Sequence, residues 1–109
     1  MKIIVRAWYM KPDFFRDGMF GSDSLEVQGK MPRVSNLKDT HVMVREFEAE
    51  GLMSAYAEMQ GEVWSPNGEV HGLIESLGLG HTSMSVGDVI EGTDRLWMVD
   101  VRGFKELER

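Results

Sequence analysis

The stretch His81 to Ile90 reads HTSMSVGDVI, a histidine and three hydroxyl residues followed by Gly87, Asp88 and branched aliphatics. Ser, His and Asp so close together raise the chemistry of a nucleophile activated by a base. A nucleophile elbow, however, requires Gly-x-Ser-x-Gly between a strand and a helix. Here Gly87 follows Ser85 by two, position 83 is serine, and the next residues read as a strand. The hydroxyls are better explained as hydrogen-bond partners for backbone groups in a turn. No catalytic residue is assigned, and an enzyme or ligand-binding domain built on His81, Ser83, Ser85 and Asp100 is kept as an alternative.

The three histidines, His41, His71 and His81, lack the close spacing that ligation from one helix or hairpin imposes. No metal site and no cofactor are expected. The absence of cysteine removes disulfides, thiolate nucleophiles and thiolate zinc sites, which fits a reducing, cytoplasmic setting. Gly78-Leu79-Gly80 follows a helical pattern, whereas phosphate cradles precede one, so it reads as a helix stop.

Charge is unevenly distributed. The formal net charge is -6, and no lysine or arginine occurs between Arg45 and Arg95. That interval carries Glu46, Glu48, Glu50, Glu58, Glu62, Glu69, Glu75, Asp88, Glu91 and Asp94. Such a field repels nucleic-acid phosphates and attracts basic partners. Direct nucleic-acid binding is therefore not expected, and Glu58, Glu62, Glu69 and Glu75 are the candidate contact surface for a protein. Trp64, in the polar turn GEVWSPNGE, is either a lid on the core edge or an exposed anchor.

The elements that must position these residues follow from periodicity. Residues 2–9 alternate as a strand with Ile3, Val5, Ala7 and Tyr9 on one face. Arg6 within that apolar run argues against both a signal peptide and a membrane span. Residues 10–36 contain glycine, proline and no sustained period, and are expected as a long irregular loop with a short turn of helix near Pro12 to Arg16. Thr40 to Glu48 reads as a second strand, with Val42, Val44 and Glu46 on one face and His41, Met43, Arg45 and Phe47 on the other. Leu52, Met53, Tyr56, Met59 and Val63 fall at helical spacing, and Met43, Met53, Met59 and Met98 suit gap-filling core positions.

A second helix should follow Ser65-Pro66-Asn67-Gly68, with Ser65 or Asn67 capping it, Glu69 near its positive end, and Val70, Leu73, Ile74 and Leu77 buried. Gly78 suits its left-handed stop. Val86 to Glu91, the turn Gly92-Thr93-Asp94, and Arg95 to Lys105 read as a hairpin. The chain is thus expected as a single α+β domain: a mostly antiparallel sheet of about four strands with two helices packed on one face, in the order β-loop-β-α-α-β-β. Phe47, Trp97 and Val101 on the other sheet face would suit a homo-oligomeric module.

The C-terminal third, HTSMSVGDVIEG followed by RLWMVDVRGFKEL, resembles small proteins of bacteriophages and mobile elements that include the YodL-like domain. The matching residues are Ser83, Ser85, Val86, Asp88, Val89 and Ile90, then Val99, Asp100, Gly103, Phe104, Glu106 and Leu107. Gly87 stands where serine is frequent in that pattern, and Trp97 and Met98 where aromatics such as tyrosine are common. The resemblance implies a phage or mobile-element origin and an accessory role, in the host cytoplasm if phage-encoded, and supplies no established catalytic residues to carry over. Asp100, half-buried in an apolar strand, must find donors, for which the HTSMS segment is the nearest candidate.

Overall fold

The N-terminal alternation of β-branched and aromatic residues forms β1 (Ile3–Met10), with Val5, Ala7 and Tyr9 buried on one face as its period implies. The computed structural model describes residues 1–109. The other strands are β2 (His41–Ala49), β3 (Val89–Glu91), β4 (Leu96–Val99) and β5 (Phe104–Glu106). They form one antiparallel sheet in the order β2-β1-β3-β4-β5, so β1 is an interior strand that pairs with segments far along the chain.

Both faces of the sheet are used. Val5, Ala7, Tyr9, Ile90 and Val99 pack against Ala55 and Met59 of α4 (Leu52–Glu58) and its C-cap, and against Ile74 of α6 (His71–Ser76), with the short α5 (Gly61–Trp64) between. On the opposite face Met10, Val89 and Met98 pack against Phe14 of α1 (Pro12–Gly18), Leu25 of α2 (Ser22–Gln28) and Leu37 of α3 (Leu37–Thr40). The antiparallel α+β class is as the sequence implies. The second helical layer arises from residues 10–36, expected as an irregular loop. Its helices are too short for a sustained apolar period; single residues such as Phe14 and Leu25 anchor them instead. No helix is long and apolar enough to cross a membrane.

Two further departures have local causes. In the β1–β2 ladder Ala7 faces Arg45 but Trp8 faces Met43, which leaves Val44 as an extra residue. The bulge reverses the alternation beyond it. Arg45 and Phe47 therefore turn to the α4 side with Val42 and Val44, and Glu46 joins Met43 on the other side. Phe47 packs into the α4-side core rather than lining a bare sheet face, and Val101 lies outside the strands, in a turn.

The run Arg95 to Lys105 is also two strands, because Asp100 to Gly103 forms a turn. The Asp100 N–H donates to Gly103 O at 3.0 Å, and Gly103 has φ +67°, which suits glycine. The helical period in 52–63 buries Ala55 and Met59 and leaves Met53 70% exposed and Val63 50% exposed. Met43 is likewise exposed, while Met98 is fully buried.

Removing the Met98 side chain should therefore leave a cavity between β4 and the α1–α3 layer. Met98→Ala is expected to destabilise by about 2–5 kcal/mol, and Met53→Ala by less than about 0.5 kcal/mol, in chemical denaturation.

Candidate functional site

The polar residues of HTSMSVGDVI converge on Asp88, which has no exposed surface. Its Oδ1 accepts the Met10 N–H at 2.7 Å, and its Oδ2 accepts the Ser85 N–H at 2.8 Å. His81 Nε2 lies 2.8 Å from the same Oδ2, so one proton is shared between imidazole and carboxyl. Burial pushes the Asp88 carboxyl up, against the opposing pull of the His81 ring and the two backbone donors. Asp88 N in turn donates to Ser85 O at 2.9 Å, which closes a reciprocal turn just before β3.

The His81 ring is held on both sides. It stacks on Tyr9 with centroids 4.6 Å apart, and the Phe15 ring meets it at 4.8 Å. Tyr9 donates its hydroxyl proton to Thr82 O at 2.6 Å, with Met59 O at 3.2 Å, and Trp64 Nε1 donates to the same Thr82 carbonyl at 3.1 Å. Burial, and next the nearby Asp88 carboxylate, push the Tyr9 phenol far above its ordinary value. Tyr9 is therefore a fixed donor. Trp64 is half-buried against the α4-side core, a lid rather than an exposed anchor.

The two serines serve backbone groups, as the turn reading implies. Ser83 Oγ accepts the Gly61 N–H at 2.8 Å and so holds the start of α5, while Ser85 Oγ donates to Ser83 O at 3.1 Å. Asp100 is not part of this cluster. Its carboxylate is held by the Ser22 hydroxyl, by the Ser22 N–H at 3.0 Å and by the Val101 N–H at 2.8 Å, at the start of α2. Partial burial disfavours the Asp100 anion, but these donors outweigh it and hold the carboxyl below the usual range. The sequence expectation of Ser83 or Ser85 as its partner fails because Asp100 serves the other helical layer. The carboxylate that the HTSMS segment does hold is Asp88, within the same ten residues.

Gly87 fixes the neighbouring backbone. Its φ is +99°, and a Cβ there would lie 2.5 Å from Met10 Sδ and 2.8 Å from Gly18 O. Its carbonyl accepts the His41 Nε2–H at 2.7 Å, which makes Nδ1 the acceptor of the Thr40 hydroxyl at 2.7 Å. His41 is thus a neutral, buried histidine, and burial lowers its pKa to about 4. His71, by contrast, is exposed at the start of α6. The three histidines stand at separate places, and no three His, Asp or Glu side chains form a group able to hold a metal ion.

None of the main surface hollows is lined by His81, Ser83, Ser85 or Asp88. Asp100 borders a hollow of about 240 Å³ with Met53, Tyr56, Val86 and Phe104. Of the four acidic candidates, Glu58 is paired with Arg45 at 3.3 Å, whereas Glu62, Glu69 and Glu75 are exposed and form no ion pair. Glu69 accepts the Asn67 N–H at 2.6 Å, which holds its carboxyl below the usual range. The helix start is served by Ser65, one of its two expected caps, whose Oγ accepts the Val70 N–H at 3.0 Å. Comparison with protein-family models, curated proteins and solved structures finds no match.

The residues that carry the C-terminal resemblance have structural tasks. Asp88 ties β3 to β1, Asp100 ties the β4–β5 turn to α2, Gly103 shapes that turn and Phe104 packs on the core. Asp88→Ala would leave two backbone N–H groups and an imidazole unpaired, and is expected to cost about 3–5 kcal/mol in chemical denaturation. Asp88→Asn should also destabilise, because an amide NH₂ at Oδ2 would face the Ser85 N–H. With its folded pKa depressed, His41 contributes stability that is complete above about pH 6.5 and lost as pH falls towards about 4. The loss should be on the order of 3 kcal/mol, and denaturation midpoints across that range should fall less steeply for His41→Gln, whose amide can still reach Gly87 O.

Proposed function

We propose that this protein acts by binding another protein through its α4–α6 layer. The observation that carries this reading is the separation of charge between the two helical layers. Residues 50–80 hold Glu50, Glu58, Glu62, Glu69 and Glu75 and no lysine or arginine, a net of -5. Residues 11–40 hold five basic residues (Lys11, Arg16, Lys30, Arg33 and Lys38) and five acidic ones (Asp13, Asp17, Asp23, Glu26 and Asp39), a net of zero. Because the two layers lie on opposite faces of the sheet, the α4–α6 layer carries this excess and the α1–α3 layer is balanced.

Exposed apolar residues accompany the acids. Met53, Val63 and Leu73 lie on this layer, and the hollow lined by Met53, Tyr56, Val86 and Phe104 borders it. Apolar anchors ringed by charge of one sign suit a protein surface of opposite charge: the anchors supply affinity and the charges supply orientation and association rate. The partner is a protein with a basic groove, of the kind a nucleic-acid enzyme presents, and nucleic acid itself is repelled. The C-terminal resemblance supports an accessory role in a phage or mobile element, acting on a host or phage protein.

The test is affinity capture from host extract, followed by rebinding of the purified partner. The combined Glu62→Gln, Glu69→Gln and Glu75→Gln variant should bind it at least about tenfold more weakly and with a shallower salt dependence. Glu58→Gln should matter less, since Arg45 already neutralises that carboxylate. An unchanged affinity in the triple variant would overturn the reading.

A further inference from the structure

The edge of the sheet at β2 is open. The backbone–backbone hydrogen bonds of residues 42–49 all go to β1, and the N–H and C=O groups that point away from it have no backbone partner. A strand of this length offers a full ladder to an incoming segment. Beside it, the α1–α3 layer stops short: Ile4 is 57% exposed and Met43 is 41% exposed on that face. Both edge and adjoining face are therefore uncovered.

Charge determines what could cover them. Glu46 and Glu48 stand opposite Arg6 and Ile4 on this face, and Glu91 stands on the other side of Arg6. Arg6 serves two of the three carboxylates, at 2.7 Å from Glu46 and 3.5 Å from Glu91, and Glu48 forms no ion pair. The only cation of β2, Arg45, is turned to the α4 side, where it lies over Phe47 at 4.5 Å and bonds Glu58. Lys11 and Lys38 adjoin the His41–Met43 end of the strand, so the excess negative charge lies at its Glu46–Glu48 end.

A second copy is a poor occupant. The symmetric antiparallel register that overlaps residues 41–49 fully sets Arg45 against its own copy, and the next two registers towards the C-terminal end set Glu46 against Glu46 or against Glu48. Like charges directly opposite destabilise a strand pair. The Val44 bulge guards further against flat self-pairing. A basic strand avoids the like-charge oppositions and can take up the Val44 bulge in its own register.

We infer that β2 is a docking edge for an extended, basic segment of a partner protein, which adds to the sheet as a sixth strand with lysine or arginine at alternate positions beside Glu46 and Glu48. Alternate apolar side chains of that segment would lie beside Val42 and Phe47, on the face that already packs against α4. This edge is distinct from the α4–α6 surface, and the two are tested separately.

The probe is an eight-residue blocked peptide of alternating Lys and Val, matched to residues 42–49, titrated into the full chain, with an alternating Glu and Val peptide as control. The Lys-Val peptide should bind and slow amide hydrogen exchange at alternate positions of residues 42–49. The control should bind at least about tenfold more weakly. Glu46→Gln with Glu48→Gln should weaken the Lys-Val peptide about three- to tenfold, as two exposed charge pairs would. The Glu62, Glu69 and Glu75 triple variant should leave its affinity unchanged. Absence of protection at saturation, equal affinity for the two peptides, or loss of binding in the triple variant alone would overturn the inference. So would sedimentation showing a dimer whose 42–49 amides are already protected without peptide.

Discussion

A single carboxylate with no access to water joins the two ends of this fold. Asp88 reaches across to the Met10 N–H, turns back to the Ser85 N–H and holds the His81 ring. A buried charge is tolerated only where donors surround it, so each of these partners must be in place for the others to be stable. Around the pair, Tyr9 and Phe15 enclose the imidazole, and Thr82 is fixed by donors from Tyr9 and Trp64. The helical layers on either side of the sheet meet at this point, Tyr9 belonging to one core and Phe15 packing on the other.

The same arrangement explains why residues with catalytic potential are not set up as a reactive centre. A nucleophile must be reachable and its base must face a substrate. Here the hydroxyls of Ser83 and Ser85 are committed to Gly61 and to backbone within the turn, and the His81 ring, oriented by Asp88, is packed between Tyr9 and Phe15 with little exposed surface. The polar cluster therefore acts on the chain itself, tying β3 to β1 and the HTSMS turn to α5.

Much of this was legible in the sequence where a periodic pattern or a turn residue carried it. The face of β1, the buried Ile74 and the Gly78 stop follow directly from spacing. The hydroxyls of HTSMS were readable as backbone partners for the same reason, since turns draw on such residues. What escaped was set by tertiary geometry. Nothing local marks Val44 as an extra residue, yet it decides which way Arg45, Glu46 and Phe47 face. Asp100 looked like the carboxylate to watch because it interrupts an apolar run, but its donors come from Ser22, 78 residues earlier. Asp88 stands out in the sequence beside His81, but a Gly-Asp pair before a strand reads as a turn, and nothing local shows that this carboxylate is buried against the Met10 N–H.

The position of β1 also shapes how the chain is assembled. Its inner neighbour β3 pairs Trp8 with Val89, and the Asp88 clamp spans a similar distance. On the ribosome β1 must wait for residues 89–91 before its second edge is covered. Until then only β2 can protect it, and the two would present a sheet open along both sides, with Trp8, Tyr9 and Met10 unburied. Covering the inner edge of β1 thus waits on β3, and until then protection against premature contacts falls to the charged residues of β2.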